Sequence, residues 1–211
     1  TSSVDHTVNI IANSALDSAR GNSGTIIAQF FHGMRKALSG LETAEINDFA
    51  SALKIGYQSA NDSLLNPEEG TIISVMRDVA NTAEELIENE NLDFISFLNK
   101  CYESAETSLQ NTKKILKILQ KTDVVDAGAL GFVLIIQGVL NSIQKGSQIQ
   151  SKHLNISYDH EKVEALKKDI DFTITNRFCT ECAIEGSNIN RNELKKLIKH
   201  CGDSMVVAGT S

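Results

Sequence analysis

Between Val4 and about Gly146 apolar residues return every three or four positions, and the chain's single proline, Pro67, falls just after the third of these helical stripes, where it stops the helix. Val8, Ile11, Ala12, Ala15 and Ala19 mark a first helix. Ile27, Phe30, Phe31, Met34 and Leu38 mark a second, ending near Gly40. Ile46, Phe49, Ala50, Leu53, Tyr57, Ala60 and Leu64 form a third. Ile72, Met76, Val79, Ala80, Ala83 and Ile87 follow, then Phe94, Leu98, Cys101 and Ala105. A short piece, Lys113 to Leu119, precedes a last helix through Ala129, Phe132, Val133, Ile136, Leu140 and Ile143. Each stripe is wide enough to face a core, and short connections make neighbours antiparallel. The expected fold is mainly α, an up-and-down helical bundle or barrel, followed by a small α/β segment. Aromatics at 5% and the absence of tryptophan suit aliphatic helix packing better than a β-sandwich.

The charge balance narrows the partners. With 20 Lys and Arg against 27 Asp and Glu, the net charge is −7, which argues against nucleic acid or an anionic membrane surface. The longest mainly apolar stretch, Ala127 to Ile136, falls short of the roughly 18 residues of a membrane span. No signal-peptide pattern opens the chain, and four cysteines in 211 residues do not make a disulfide scaffold. A cytoplasmic protein is expected.

Three connections carry more than turn chemistry. They read Gly21-Asn22-Ser23-Gly24, Asn66-Pro67-Glu68-Glu69-Gly70-Thr71 and Asp123-Val124-Val125-Asp126-Ala127-Gly128-Ala129, and each leads into a helix. In an antiparallel array the first two share one end of the bundle. The third joins them only if Lys113 to Leu119 belongs to the connection. Seven residues rise about 10 Å, too little to cross the bundle, so it is assigned there. Three helix N-termini then converge, each with unpaired N–H groups and the positive end of a helix dipole, a combination that attracts phosphate. Helix capping is the better explanation of any single loop, because Ser, Thr and Asp favour N-caps and Gly favours C-caps. Convergence of three favours the phosphate reading. Glu68, Glu69, Asp123 and Asp126 fit the dipole or a cap, and the five histidines show no metal-ligand spacing.

These stretches resemble known signatures. Ser18-Ala19-Arg20-Gly21-Asn22-Ser23-Gly24, Pro67-Glu68-Glu69-Gly70-Thr71-Ile72 and Val124-Val125-Asp126-Ala127-Gly128 are similar to those of the DhaL-type nucleotide-binding domain. The version is that of the bacterial fatty acid kinase, a dihydroxyacetone-kinase-like family. Phe178-Cys179-Thr180-Glu181 and Gly202-Asp203-Ser204-Met205-Val206-Val207 resemble the opening of that kinase's middle domain. The resemblance implies a helical barrel holding ATP and Mg²⁺ at one end. Gly21, Asn22, Ser23 and Gly24 are then expected around the phosphates, Gly70 and Thr71 beside the nucleotide, and Asp126, Ala127 and Gly128 along its base or ribose. It further implies phosphoryl transfer to a fatty acid carboxylate presented by a DegV-like carrier protein. Related glycerone kinases make dihydroxyacetone the alternative acceptor, and a non-catalytic nucleotide-binding module is a third reading. Self-association into a homodimer is left open.

The family places its magnesium-binding aspartates in an Asp-Gly-Asp-Thr-Gly stretch upstream of the first loop. Asp5 and Asp17 lie in no such motif, so the Mg²⁺ ligands are expected before Thr1. The expectation is a chain lacking that N-terminal segment and inactive by itself, with a non-catalytic relative as the alternative.

The chain divides into a helical nucleotide-binding domain over 1–146, a linker over 147–170, and the start of a small α/β domain over 171–211. Thr173 to Ile184 alternates as a strand with Ile174, Phe178, Cys182 and Ile184 on one face. Asn190 with Glu193 reads as a helix start, and Met205 to Ala208 reads as a second strand. Strand geometry points Cys179 and Cys182 to opposite faces, which assigns Cys182 to the core. In the resembling family the cysteine matching Cys179 can join a metal site with a downstream His-x-His. No such pair follows in this sequence, and no metal ligand is assigned.

Overall fold

The computed structural model describes residues 3–89, 92–120, 124–145, 178 and 180–209. Its helices are α1 (Val4–Ser18), α2 (Gly21–Leu38), α3 (Ile46–Asn61), α4 (Ile72–Asn89), α5 (Phe94–Ile115), α6 (Lys117–Gln120), α7 (Ala127–Lys145) and α8 (Arg191–Ile198). The fold is mainly α, as the periodicity requires. From α1 to α5 each helix packs on the next, and α7 closes onto α5 and α4.

Local chemistry sets several of the boundaries. Ser3 Oγ accepts the His6 amide at 3.2 Å and starts α1, and Asp93 does the same for Ser96 at 3.0 Å to start α5. Past Leu38, Gly40 turns the chain at φ +77° and donates its amide to Asp5 Oδ1 at 2.9 Å. Val4 and Asp5 also donate to the carbonyls of Glu42 and Leu41. The turn after α2 is thereby stitched to the start of α1, at one pole of the bundle.

The core runs through Leu38, Val75, Met76, Val79, Phe97 and Phe132, all essentially inaccessible. Phe30 meets Phe132 edge-on with ring centroids 5.0 Å apart. The tightest contact is between α2 and α3. A Cβ on Gly33 would lie 2.4 Å from the Ile55 carbonyl oxygen, and one on Gly56 would lie 2.9 Å from the Phe30 ring. Only glycine lets these two backbones meet. A cavity of about 70 Å³ remains between α2, α3, α5 and α7, lined by Phe30, Phe49, Leu98, Phe132 and other apolar side chains. It contains none of the loop residues singled out above and has no polar group to hold a phosphate.

Some boundaries differ from the sequence reading. The helix through Phe94 does not stop near Ala105 but runs to Ile115, because Ser108, Leu109 and Thr112 continue its buried stripe. Among the described residues, only Lys117–Gln120 remains as helix in the connection to α7. α7 itself outlasts the run Ala127–Ile136 and reaches, by length and composition alone, what a membrane span needs. Here Ala129, Phe132, Val133 and Leu140 are buried, while Ile135, Val139 and Ile143 are exposed.

The β–α–β expectation is met only in its helix. α8 forms where predicted, with Asn190 Oδ1 accepting the Asn192 and Glu193 amides at 3.0 and 3.2 Å. Residues 180–184 have no strand, and the rest of that predicted strand, apart from Phe178, lies outside the described residues, as does the 147–170 linker. Val206 forms one isolated antiparallel bridge, with Leu64 of the helical part. A strand needs a partner along its length, and none is present among the described residues. For the same reason Cys182 is exposed rather than buried, as are Phe178, Ile184 and Leu197.

Candidate functional site

The pole opposite the Gly40 turn is where α2, α4 and α7 begin. Gly21–Gly24 is not a loop before a helix, because it is the first turn of α2 itself. Its first amides therefore belong to the unpaired set at a helix start. Arg20 occupies the N-cap position and makes no side-chain capping bond. α1, α5 and α8 are capped by Ser3, Asp93 and Asn190. α2 lacks that device.

α7 starts differently. Asp126 Oδ1 accepts the Ala129 amide at 2.7 Å, so Asp126 is an N-cap, as the structural alternative for this residue held. The Asp126 amide donates to Thr112 Oγ1 at 3.1 Å, and that hydroxyl donates to the Leu109 carbonyl at 2.7 Å. Thr112 is fully buried near the end of α5, so the core fixes the start of α7. A Cβ on Gly128 would lie 2.8 Å from Ser23 Oγ and 3.3 Å from Asp126 Oδ1. The first turns of α2 and α7 are thus in contact.

The third start lies against the same end of α5. Gly70 has φ +83°, and a Cβ there would be 2.8 Å from the Ile115 side chain and 3.1 Å from Leu116. Its amide donates to Ser74 Oγ at 2.9 Å, and Ser74 Oγ donates to Glu69 Oε2 at 2.8 Å. Glu69 also pairs with Arg77, which reaches Asp78 at 3.1 Å. Asp78 Oδ2 accepts from Ser108 of α5 at 2.6 Å. The hydrogen bond from Ser74, then the bond and charge of Arg77, hold the Glu69 carboxyl below its ordinary range. Thr71 Oγ1 donates to the Glu68 carbonyl at 2.7 Å, and the Thr71 carbonyl accepts the Ser74 amide at 3.0 Å.

Ser23, Asp126, Ala127 and Gly128 are therefore brought together, with Gly21, Asn22 and Gly24 on the same turn as Ser23. Gly70 and Thr71 adjoin them across the C-terminal end of α5. Asp123 lies outside the described residues. Sequence reasoning missed Thr112, Ser74 and Arg77, which buttress the loops from behind. Their helical spacing alone gave no sign of that role. It also missed two contacts from far along the chain. Gly21 N–H donates to Glu181 Oε1 at 3.0 Å, and Asn22 Nδ2 donates to the Ser204 carbonyl at 2.9 Å.

Chemically the mouth offers backbone amides, the Ser23 hydroxyl and the Asn22 amide, a set suited to phosphate oxygens. It does not offer a cation cage. Asp126 is the one carboxylate among the nine predicted site residues and already caps α7. Among the described residues no three His, Cys, Asp or Glu side chains cluster closely enough to hold a metal. Magnesium, which needs several oxygen ligands, is not accommodated by these side chains.

Comparison with known proteins agrees with this architecture. Residues 1–141 match the DAK2 domain. An uncharacterized protein of Staphylococcus saprophyticus is 34% identical over 202 residues, covering 91% of this chain and 36% of its own length. Protein YloV of Bacillus subtilis is 31% identical over 210 residues, covering 93% and 37%. An uncharacterized protein of Staphylococcus aureus is 31% identical over 205 residues, covering 91% and 36%. The chain spans little more than a third of the length of these relatives.

Proposed function

Because the chain belongs to the DAK2 domain family, whose domains are nucleotide-binding parts of dihydroxyacetone-kinase-like proteins, we propose that it is the ATP-binding part of a fatty-acid-kinase-like phosphotransferase. The observation that carries the reading is the meeting of three helix starts, with α2 presenting amides that its own N-cap residue leaves uncapped. In this reading the phosphates lie on Gly21–Gly24 and the nucleotide extends past Gly70, Thr71 and Asp126–Gly128. A carboxylate oxygen of the fatty acid attacks the γ-phosphorus, the bond to the β-phosphate oxygen breaks, and ADP and an acyl phosphate result. The acceptor is presented by a DegV-like carrier protein. Mg²⁺, for which these side chains offer no ligand set, would supply charge neutralisation when bound with ATP. This chain's part is to hold and orient the phosphates with fixed amide dipoles. The fatty acid is favoured over dihydroxyacetone because Phe178–Glu181 and Gly202–Val207 resemble the opening of the fatty acid kinase's middle domain.

Calorimetry of ATP binding tests the mouth. Ser23→Ala with Gly24→Val is expected to weaken binding at least tenfold, whereas Glu106→Gln on the outer face of α5 leaves it unchanged. Equal affinity in the double variant and the wild type would discard the phosphate assignment. Acyl phosphate formation with a loaded DegV-like partner, set against dihydroxyacetone phosphorylation, then decides the acceptor.

A further inference from the structure

Glu181 and Ser204 come from the segment after the helical unit, yet they occupy donors on the first turn of α2. A carboxylate oxygen on an amide at a helix start is the same interaction that a phosphate oxygen would make there. Resting on the phosphate reading above, we propose that residues 180–209 form a self-inhibitory cap, in which Glu181 and Ser204 hold the donors that the nucleotide must take.

The cap is seated at the same pole. Lys195 of α8 donates to the carbonyls of Asp62 and Leu64, just past the end of α3. Leu65 N–H donates to the Met205 carbonyl at 3.1 Å, Val207 N–H donates to the Ser63 carbonyl at 2.9 Å, and Leu64 pairs with Val206. Arg191 reaches Gln29 Oε1 on α2 at 3.3 Å. The seat is imperfect, however. Gln29 Nε2, His32 Nε2 and Arg191 NH2 are buried there without a hydrogen-bond partner. Groups left so disfavour the docked state, and undocking would return Arg191 to water. At the mouth, Glu181, Gly21 and Asn22 are all exposed, so no apolar burial locks the contact. Val206 gives the cap one apolar anchor on the core, but its contacts at the mouth are polar and exposed, so there it is displaceable by a polyanion that uses the same donors.

Calorimetry with ATP and Mg²⁺ on the full chain, comparing wild type, Glu181→Gln and Lys195→Met, tests the cap. Hydrogen exchange at the Val207 amide, with and without ATP, accompanies it. Both substitutions are expected to tighten binding about two- to fivefold, the range set by a single charge at a helix end. ATP is expected to speed exchange at Val207. Weaker binding by Glu181→Gln would make Glu181 part of the nucleotide site and overturn the cap. Unchanged affinity, or Val207 exchange indifferent to ATP, overturns it as well while leaving the phosphate reading intact. If no form of the chain binds nucleotide, the phosphate reading fails and takes the cap with it.

Discussion

Ser23 and Gly128 meet across the mouth so closely that a single methyl on Gly128 would fall 2.8 Å from the Ser23 hydroxyl oxygen. The two residues open different helices, α2 and α7. This contact separates folding from binding. Gly128→Ala adds a better helix former to the first turn of α7, offsetting the mild crowding, so stability should change by less than about 1 kcal/mol. ATP affinity should fall more than about fivefold because Ser23 must move, a difference near 1 kcal/mol. Urea unfolding and calorimetry on the same preparation check both halves.

The α2–α3 contact predicts the opposite pattern. A methyl on Gly33 meets backbone, at 2.4 Å from Ile55 O and 2.7 Å from Gly56 Cα, and neither can rotate away. Gly33→Ala should therefore destabilise the fold by about 3 kcal/mol or more, despite alanine's higher helix propensity. The urea midpoint should drop with an unchanged slope. A variant as stable as the wild type would mean that these helices can separate.

His32 gives a pH signature. It is 2% exposed, and burial first, then Lys36, Arg35 and Arg191, lower its pKa from 6.5 to about 4. Between those values the unfolded chain binds the proton and the folded one does not. Stability associated with neutral His32 is thus complete above pH 6.5 and is lost as the pH falls toward 4, by about 1–3 kcal/mol. His32→Gln should flatten that part of the profile in urea unfolding at pH 7, 6 and 5. A profile with the same slope in both proteins would remove His32 as the cause.

Much of this molecule could be read from residue spacing. The helical stripes, the short α8 and the shared pole of the three helix starts follow from periodicity, connection length and capping chemistry. The end of α5 did not, because Ser108 and Thr112 are polar residues that are buried with their hydroxyls bonded to Asp78 and to the Leu109 carbonyl. Gly33 and Gly56 were silent for another reason, since a glycine that permits close approach looks in sequence like one that weakens a helix. In the mouth, Asp126 was equally readable as a cap or a ligand contact, and its bond to Ala129 makes it at least a cap. The strands predicted after the linker lacked a sheet to join among the described residues, so alternation alone misassigned Cys182. Glu181 was legible only as part of a motif. Its contact with Gly21 spans 160 positions and depends on tertiary geometry.

The glycine-mediated junction of α2 with α3 also governs how the mouth can respond to a visitor. With Gly33 and Gly56 in backbone contact, α2 is keyed in place about three turns below its own tip and cannot piston or roll to accommodate cargo. Adjustment at that pole must come from the segment over the mouth, whose contacts with α2 are polar. The molecule is thereby divided into an unyielding anvil and a detachable cover.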